Sequence, residues 1–297
     1  MSDRPTTPTT DHQGRDMPTY DTPQPISARL ALGFVVANIR VTASERTDTQ
    51  VDVRPADETS KADVRIFEQT KVEYANGALE LRAPMRASVM RQTGVIDVTV
   101  ALPEGSDLRV ESGMGEILCE GAVGDCRLKT GYGDIRLDRA RTAVLRSAGG
   151  DITVGEVDGR TEISAGNGTV DVRRIGGPAT VKNSNGATRI GEVTGDLSVN
   201  GANGAITVDR AHAGVTAKTA NGSIRIGEVA RGAVGLQTAA GTVEIGVRPG
   251  TAAWLDLDTT SGRVRNELTA ATAPDDADDT VEVRARTHVG DIVVHYA

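Results

Sequence analysis

Hydrophobic and polar residues alternate along most of this chain, and from about residue 105 the alternation recurs at a nearly fixed spacing. Each recurrence is marked by a glycine followed two residues later by Ile, Val or Thr, at Gly115, Gly133, Gly150, Gly168, Gly186, Gly204, Gly222, Gly241, Gly262 and Gly290. The separations are 18, 17, 18, 18, 18, 18, 19, 21 and 28 residues. Such regularity is typical of a repeat protein, in which each unit packs on its neighbours.

Each repeat predicts two strands, one on either side of the glycine. The residues two and four places after it are apolar, as in Ile224 and Ile226, and the residue between them, Arg225, is polar. The residues seven and five places before it are apolar as well, as in Leu197 and Val199. Because a period of two is typical of a half-buried strand, we predict strand, glycine turn, strand and second turn in every repeat.

This order of elements predicts an all-β fold, a single-stranded parallel β-solenoid similar to a β-helix. It would have about ten 18-residue coils over residues 105–297, with an acidic loop at residues 268–280. A flat antiparallel meander is the alternative. We rank it second because nothing in the chain would cover its single hydrophobic face.

The first 104 residues lack the 18-residue period and are predicted to form two regions. Residues 1–25 are rich in Thr, Pro and Asp, and we expect a disordered tail. Residues 26–104 are expected to form an irregular all-β cap layer, since an uncovered solenoid end is an open sheet edge. Its predicted strands are residues 35–42, 50–54, 72–74, 79–82 and 95–101, with a hairpin turn at Asn76-Gly77 and a short helix over residues 60–69.

Two polar columns follow from the repeat. Four turn glycines are preceded by asparagine, at Asn167, Asn185, Asn203 and Asn221. We interpret this column as turn geometry with stacked amides rather than as a ligand-binding ridge. Six residues after the glycines the sign of charge alternates, at Arg139, Glu156, Arg174, Glu192, Arg210 and Glu228. We interpret this ladder as register control, because a slip by one coil would place like charges side by side.

Composition limits the core and the partners. With 2% aromatic and 38% hydrophobic residues, the core must consist of thin layers of Val, Ile, Leu and Ala. The net charge is −8 with both signs interspersed, which gives no basic surface for nucleic acid. No stretch resembles a signal peptide or a membrane span, so we expect a cytoplasmic protein without membrane contact, with the cell surface as the alternative.

Candidate catalytic and metal-binding residues do not form a site in the sequence. Of the histidines, His12, His212, His288 and His295, only the last two are close together, and no ligand at metal-site spacing accompanies them. Cys119 and Cys126 fall on interior positions and are expected to be small buried hydrophobes. The aspartates at 275, 276, 278 and 279 lack the spacing of a calcium loop.

An enzyme is therefore not expected. Asp134, Asp151 and Asp291 share the position directly after a turn glycine and face outward, which leaves a carbohydrate-active β-helix enzyme as a minor alternative. We predict no catalytic, cofactor-binding or metal-binding residue.

Several phrases together resemble a known family. They are "VKNSNGATRIGEVTGDLSV" from Val181, "AKTANGSIRIGEV" from Ala217, "GTAAWLDLDTTSGRVRNEL" from Gly250 and the closing "RARTHVGDIVV". The chain from about Ile26 onward is similar to the bacterial β-strand-repeat domain of unknown function labelled "putative adhesin". That resemblance implies a β-strand-repeat fold and binding at a surface, and it supplies no catalytic residue or ligand.

The function predicted from these features is a non-enzymatic scaffold or protein-binding module. A protein partner would dock on a sheet edge or on the polar surface of the solenoid. The alternative is a surface adhesin that binds a polymer or a host ligand. The sequence leaves the partner and the oligomeric state open.

Overall fold

The computed structural model describes residues 18–84, 94–269 and 279–297. The chain divides into two compact units, Met1–Arg141 and Thr142–Ala297. Most of the predicted tail (residues 1–17) and most of the predicted acidic loop (residues 270–278) lie outside the described residues.

The first unit contains one helix and eight strands among its described residues, and a ninth strand begins in it. They are β1 (Thr19–Asp21), β2 (Ser27–Ser44), β3 (Asp48–Pro55), α1 (Lys61–Gln69), β4 (Lys71–Ala75), β5 (Ala78–Arg82), β6 (Val95–Pro103), β7 (Asp107–Met114), β8 (Ile117–Tyr132) and β9 (Ile135–Gly149).

The local predictions for the cap region are confirmed. All five predicted strands are present as β2 to β6, and β4 and β5 pair antiparallel around Asn76-Gly77, where both residues have positive φ. Helix α1 begins after Ser60, whose hydroxyl oxygen accepts a hydrogen bond from the backbone N–H of Asp63. The structure differs from the prediction at β1, a strand inside residues 1–25 that pairs antiparallel with β3.

Strand β2 corrects the prediction that residues 26–104 are only an irregular cap. It pairs in parallel with β5 and β6 on one side and with β7 and β8 on the other, so it is a coil of the solenoid. The repeat count misses this coil because Ala37 lies against Gly115, where later coils have glycine. Its turn is made instead by Gly33, at φ +55° and beside two shifts in register.

Antiparallel strands close the first unit beyond the coil of β5 and β6. Strand β3 pairs with β6, and β4 pairs with β5. Helix α1 lies against β3 and β6. This arrangement covers the edge that a further coil would otherwise occupy, as a cap must do in a repeat protein.

The second unit contains the end of β9 and fifteen further strands among its described residues. They are β10 (Ile152–Val157), β11 (Thr161–Asn167), β12 (Val170–Ile175), β13 (Ala179–Asn185), β14 (Thr188–Val193), β15 (Leu197–Asn203), β16 (Ile206–Ala211), β17 (Val215–Asn221), β18 (Ile224–Val229), β19 (Gly232–Ala240), β20 (Val243–Val247), β21 (Ala252–Ser261), β22 (Val264–Asn266), β23 (Thr280–Val289) and β24 (Ile292–Tyr296).

These strands form the predicted parallel solenoid. Each strand pairs in parallel with the equivalent strand one coil away, as β11 does with β13 and β12 with β14. The partners are 18 residues apart, as in Val172 and Ile190. Parallel pairing throughout the repeats excludes the antiparallel meander.

The last two coils stack out of sequence order. Strands β23 and β24 pair with β19 and β20 on one side and with β21 and β22 on the other. The coil of Gly262 is therefore penultimate in sequence but outermost in space. Trp254 lies on this coil and is 56% exposed.

Inward-facing residues form a continuous core within each unit. Except in the coil of Gly262, the residues two and four places after the turn glycines are buried, as in Ile152, Val170, Ile206 and Val208. These side chains are aliphatic and alternate with outward polar ones, so the core consists of the thin layers that the composition predicts.

The turn glycines form a column in which backbone meets backbone. From Gly168 to Gly241, each has φ between +133° and +152°. A Cβ on any of them would overlap the carbonyl oxygen of the glycine one coil earlier. Their N–H groups donate at 2.8–2.9 Å to the next coil, as Gly186 does to Asn203. Glycine is thus required both for the turn and for the close approach of successive coils.

A buried hydroxyl column lies beside the glycines. Three residues before the turn glycine, Thr219, Thr238 and Thr287 donate hydrogen bonds to the carbonyl oxygens of Gly204, Gly222 and Gly241 at 3.4, 2.9 and 3.1 Å. Asn183 takes this position in its own coil, and its Nδ2 donates to the Gly168 carbonyl oxygen at 3.1 Å. Its Oδ1 is buried and, among the described residues, has no hydrogen-bond partner.

Replacing Gly204 by alanine is expected to destabilise the second unit strongly. The new Cβ would overlap the carbonyl oxygen of Gly186, and φ of +142° is strained for any L side chain. We expect the free energy of unfolding, measured by urea denaturation, to fall by about 3 kcal/mol or more. The control is Gly235→Ala, which meets no atom within 4 Å and should change stability by less than about 0.5 kcal/mol. Equal losses in the two variants would contradict the role of the column.

Replacing Asn183 by threonine is expected to stabilise the chain by about 1 kcal/mol. The hydroxyl would keep the hydrogen bond to Gly168, and removal of the buried unpaired amide oxygen should outweigh the loss of the 3.0 Å hydrogen bond from Nδ2 to the Gly186 carbonyl oxygen. The matched control is Asn185→Thr, which removes an exposed amide bonded to Asn167 at 2.9 Å and should lower stability. Thermal melting of the two variants tests this difference, and a loss of stability in Asn183→Thr would refute it.

Candidate interaction surfaces

Three exposed hydrophobic side chains lie along one edge of the first unit. Phe34 is 77% exposed, Tyr132 65% and Met114 40%. Met114 and Tyr132 are register partners in adjacent coils, and the backbone of Phe34 lies against Gly113. We call these three residues the apolar edge.

The local backbone explains why these side chains face solvent. Phe34 follows Gly33 at the irregular turn of β2, between the buried Leu32 and Val35. Met114 and Tyr132 stand directly before turn glycines and follow Gly113 and Gly131, which have no side chain to cover them. The three groups therefore project from adjacent coils without neighbours large enough to bury them.

The apolar edge has the composition of a protein contact. Aromatic residues and methionine are enriched in the cores of protein interfaces. The whole chain has only two Phe, four Tyr and one Trp, and two of those seven lie on this edge. Sequence reasoning missed the site, although Met114 and Tyr132 occupy the column that holds asparagine in later repeats.

The asparagine column is confirmed as a structural feature. Nδ2 of Asn185 donates to Oδ1 of Asn167 at 2.9 Å, and the same bond links Asn203 to Asn185 and Asn221 to Asn203 at 2.8 and 2.9 Å. Each amide is thus bonded along the column. This supports the interpretation as stacked amides that reinforce the coil spacing.

The charge ladder is present in the second unit. Arg174 and Glu192 are register partners, as are Glu192 and Arg210. Glu192 Oε2 lies 3.6 Å from Arg210, and its Oε1 lies 2.8 Å from Nε2 of His212. The hydrogen bond from His212 and the charge of Arg210 lower the pKa of the Glu192 carboxyl. Glu156 and Arg174 pair at 2.6 Å.

Two of the three outward aspartates considered for an enzyme bond to the backbone. Oδ1 of Asp151 accepts a hydrogen bond from the N–H of Thr169 at 2.7 Å, and Oδ1 of Asp291 accepts one from Arg263 at 2.9 Å. Asp134 lies 3.9 Å from Arg136. These three carboxylates occupy the same position in different coils, and those of Asp151 and Asp291 each bond to the backbone of a neighbouring coil.

The remaining candidates for chemistry are dispersed. Cys119 and Cys126 are buried and free, as predicted. Burial raises the pKa of the Cys119 thiol to about 12 and raises the pKa of the Cys126 thiol well above its ordinary value. His288 is exposed, whereas His295 lies between the Tyr296 carbonyl oxygen (2.6 Å) and Glu244 (3.2 Å), contacts that raise its pKa.

In the described ranges, no cluster of three His, Cys, Asp or Glu side chains could hold a metal ion. Within the same ranges, no helix is both long and apolar enough to span a bilayer. His12 and the aspartates at 275, 276 and 278 lie outside the described residues.

A protein-family model matches most of the chain. The model of the family described as Toastrack DUF4097 matches residues 29–297, which include the coils, the apolar edge and both polar columns. The chain belongs to the Toastrack DUF4097 family. Its resemblance to a β-strand-repeat domain of unknown function is thereby confirmed. Curated proteins give no match to this Toastrack chain.

Solved structures that are similar to this chain include three from Bacteroides and Parabacteroides species. A "putative adhesin" from Bacteroides fragilis is 11% identical, with 95% of this chain and 98% of that chain covered, at a TM-score of 0.37. A "putative adhesin" from Parabacteroides merdae is 11% identical, with 95% and 96% covered, at 0.38. A "putative lipid binding protein" from Parabacteroides distasonis is 12% identical, with 93% and 96% covered, at 0.33. At such low scores, these likenesses assign no ligand to the Toastrack chain.

Reversing the charge of Glu192 is expected to destabilise the Toastrack chain more than removing it. In Glu192→Arg the new arginine lies between Arg174 and Arg210, whereas Glu192→Gln only removes the attraction. We expect the arginine variant to be less stable than the glutamine variant by about 0.5–1 kcal/mol in urea unfolding at low salt. In about 1 M NaCl this difference should shrink, because salt screens exposed charges. A difference that is absent, or that salt leaves unchanged, would refute an electrostatic ladder.

Proposed function

We propose that this Toastrack chain is a non-enzymatic protein-binding module whose apolar edge contacts the partner. The observation that carries the proposal is the row formed by Phe34, Met114 and Tyr132 on adjacent coils. Burying exposed aromatic and thioether groups against a partner removes apolar surface from water, which is the dominant favourable term in most protein association.

The solenoid gives this edge a rigid support. Leu32, Val35 and Leu128, on the same strands as Phe34 and Tyr132, are fully or almost fully buried. Because the backbone is held on both sides by parallel pairing, few degrees of freedom are lost when a partner binds. Main-chain rigidity and exposed large side chains together favour a specific contact over a merely solvated surface.

The chemistry of the rest of the chain supports a binding role over catalysis. Asp151 and Asp291 are engaged by backbone N–H groups, and the two thiols are buried in their protonated form. A general acid or base must lie within hydrogen-bond reach of the proton that it transfers. Asp151 and Asp291 instead bond to the backbone of neighbouring coils.

Site-specific photo-crosslinking in the native host tests the proposal. Benzoylphenylalanine would replace Phe34 or Tyr132, and the control position is Arg127, an exposed residue of β8. We expect discrete adducts with a different protein from positions 34 and 132 and none from position 127. Adducts that form equally from position 127, or no adduct from the apolar edge, would overturn the proposal.

A second experiment places the probe at the third residue of the apolar edge and mutates the other two. With benzoylphenylalanine at Met114, the changes Phe34→Ser and Tyr132→Ser should reduce the adduct by about tenfold or more, since they remove the apolar anchors. Both residues are exposed, so thermal melting should be unchanged. Fractionation of the same cells against cytoplasmic and surface markers reports where the contact is made. An adduct confined to the surface fraction with a host ligand or polymer would favour the adhesin alternative.

A further inference from the structure

The outermost coil of the second unit has a free edge. Strand β21 pairs with β23 and β22 pairs with β24, and within the described part of the chain neither has a partner on its other side. The far end of the first unit is closed by antiparallel strands and α1. An open edge of this kind is a ready template for pairing with another chain.

The inward face of this coil is incompletely buried. Leu255 and Leu257 are half-buried and Val264 is 45% exposed. Their register partners one coil inward, Val283, Ala285 and Ile292, are fully buried. The outermost coil therefore presents core-type aliphatic side chains that a further coil would cover.

The two strands of the outermost coil carry opposite charges on their outward faces. Strand β21 carries Asp256 and Asp258, whereas Arg263 and Arg265 flank Val264 at β22. Asp256 is already paired with a neighbour, since Arg286 lies 2.7 Å from both of its oxygens. Asp258, Arg263 and Arg265 are exposed. One strand of the edge is thus acidic and the other is basic.

We propose that two copies of this chain associate end to end through this coil, with β21 of each pairing antiparallel with β22 of the other. Leu257 would lie opposite the partner's Val264 on the inward face. That register places Asp258 opposite the partner's Arg263 and Asp256 opposite the partner's Arg265. Leu255, Leu257 and Val264 of both copies would become buried, so the two cores would form one continuous stack.

The charge pattern selects this pairing over the other twofold arrangement. If β21 paired with its own copy, aspartates would oppose aspartates, and if β22 did so, arginines would oppose arginines. Like charges directly opposite one another destabilise an antiparallel pair, and opposite charges stabilise it. A twofold interface is self-complementary, so every favourable contact is made twice.

Sedimentation of the full-length chain over a range of concentrations provides the first test. We expect a reversible dimer whose fraction rises with concentration. Asp258→Arg should weaken dimerisation by about tenfold or more, because two repulsive pairs replace two attractive ones. The matched control is Asp209→Arg, an exposed outward aspartate of β16 away from the free edge, which should dimerise as the unchanged chain does.

Exchanging the charges of the two opposed residues provides the decisive test. Asp258→Arg and Arg263→Asp should each dimerise poorly alone, whereas an equimolar mixture should form a one-to-one heterodimer, since both opposed pairs again have opposite signs. The variant carrying both substitutions should dimerise with itself for the same reason. Circular dichroism melting of each single variant confirms that it is folded.

Three results would overturn the proposal. The first is a monomer at every concentration up to about 100 μM, a range in which a specific interface would be detected. The second is a dimer that Asp258→Arg leaves unchanged. The third is a mixture of the folded single variants that fails to restore association.

Discussion

The approach of successive turns to within backbone contact is the constraint on which this solenoid depends. The glycine column allows one coil to rest directly on the carbonyl groups of the coil before it, at positions such as Gly186, Gly204 and Gly222. Once the turns are in contact, the flanking strands are brought to pairing distance and the register is set. Buried threonines bond the carbonyl oxygens of Gly204, Gly222 and Gly241, so side chains as well as backbone hold the tightest point of these coils.

Around this fixed backbone, each column of side chains has a separate physical task. Aliphatic residues fill the interior, amides bond along one edge, and charges of alternating sign lie along another. Since a column repeats the same environment in every coil, a departure from its usual residue type is informative. Asn183 in the hydroxyl column leaves a buried oxygen unpaired, and Met114 and Tyr132 replace amides by apolar groups. The first departure concerns stability, and the second marks the surface that we assign to binding.

Most of the fold could be predicted from the sequence because parallel stacking repeats the same contacts at intervals of 18 residues, as between Val172 and Ile190. The coil of β2 was missed because Ala37 and the irregular turn at Gly33 break the glycine pattern while keeping the strand pairing. The stacking order of the last two coils could not be predicted either. The alternation of apolar and polar residues identifies the inward face of a strand but not the strands with which it pairs. The apolar edge escaped notice for a related reason: its three residues are far apart in sequence, and only the register of adjacent coils brings them together.

The insertion of the coil of β23 and β24 between two earlier ones makes the position of β21 and β22 depend on strands that follow them in the chain. During synthesis, β21 and β22 emerge before β23 and β24, yet they have no place in the stack until those last strands have paired with β19 and β20. Within the described ranges, strand β2 of the first unit likewise pairs only with strands that follow it in the chain, β5 to β8. Until β23 and β24 have paired, β21 and β22 therefore expose strand edges on both sides, a feature that makes folding intermediates prone to aggregation. The later coil thus holds the earlier one in the stack.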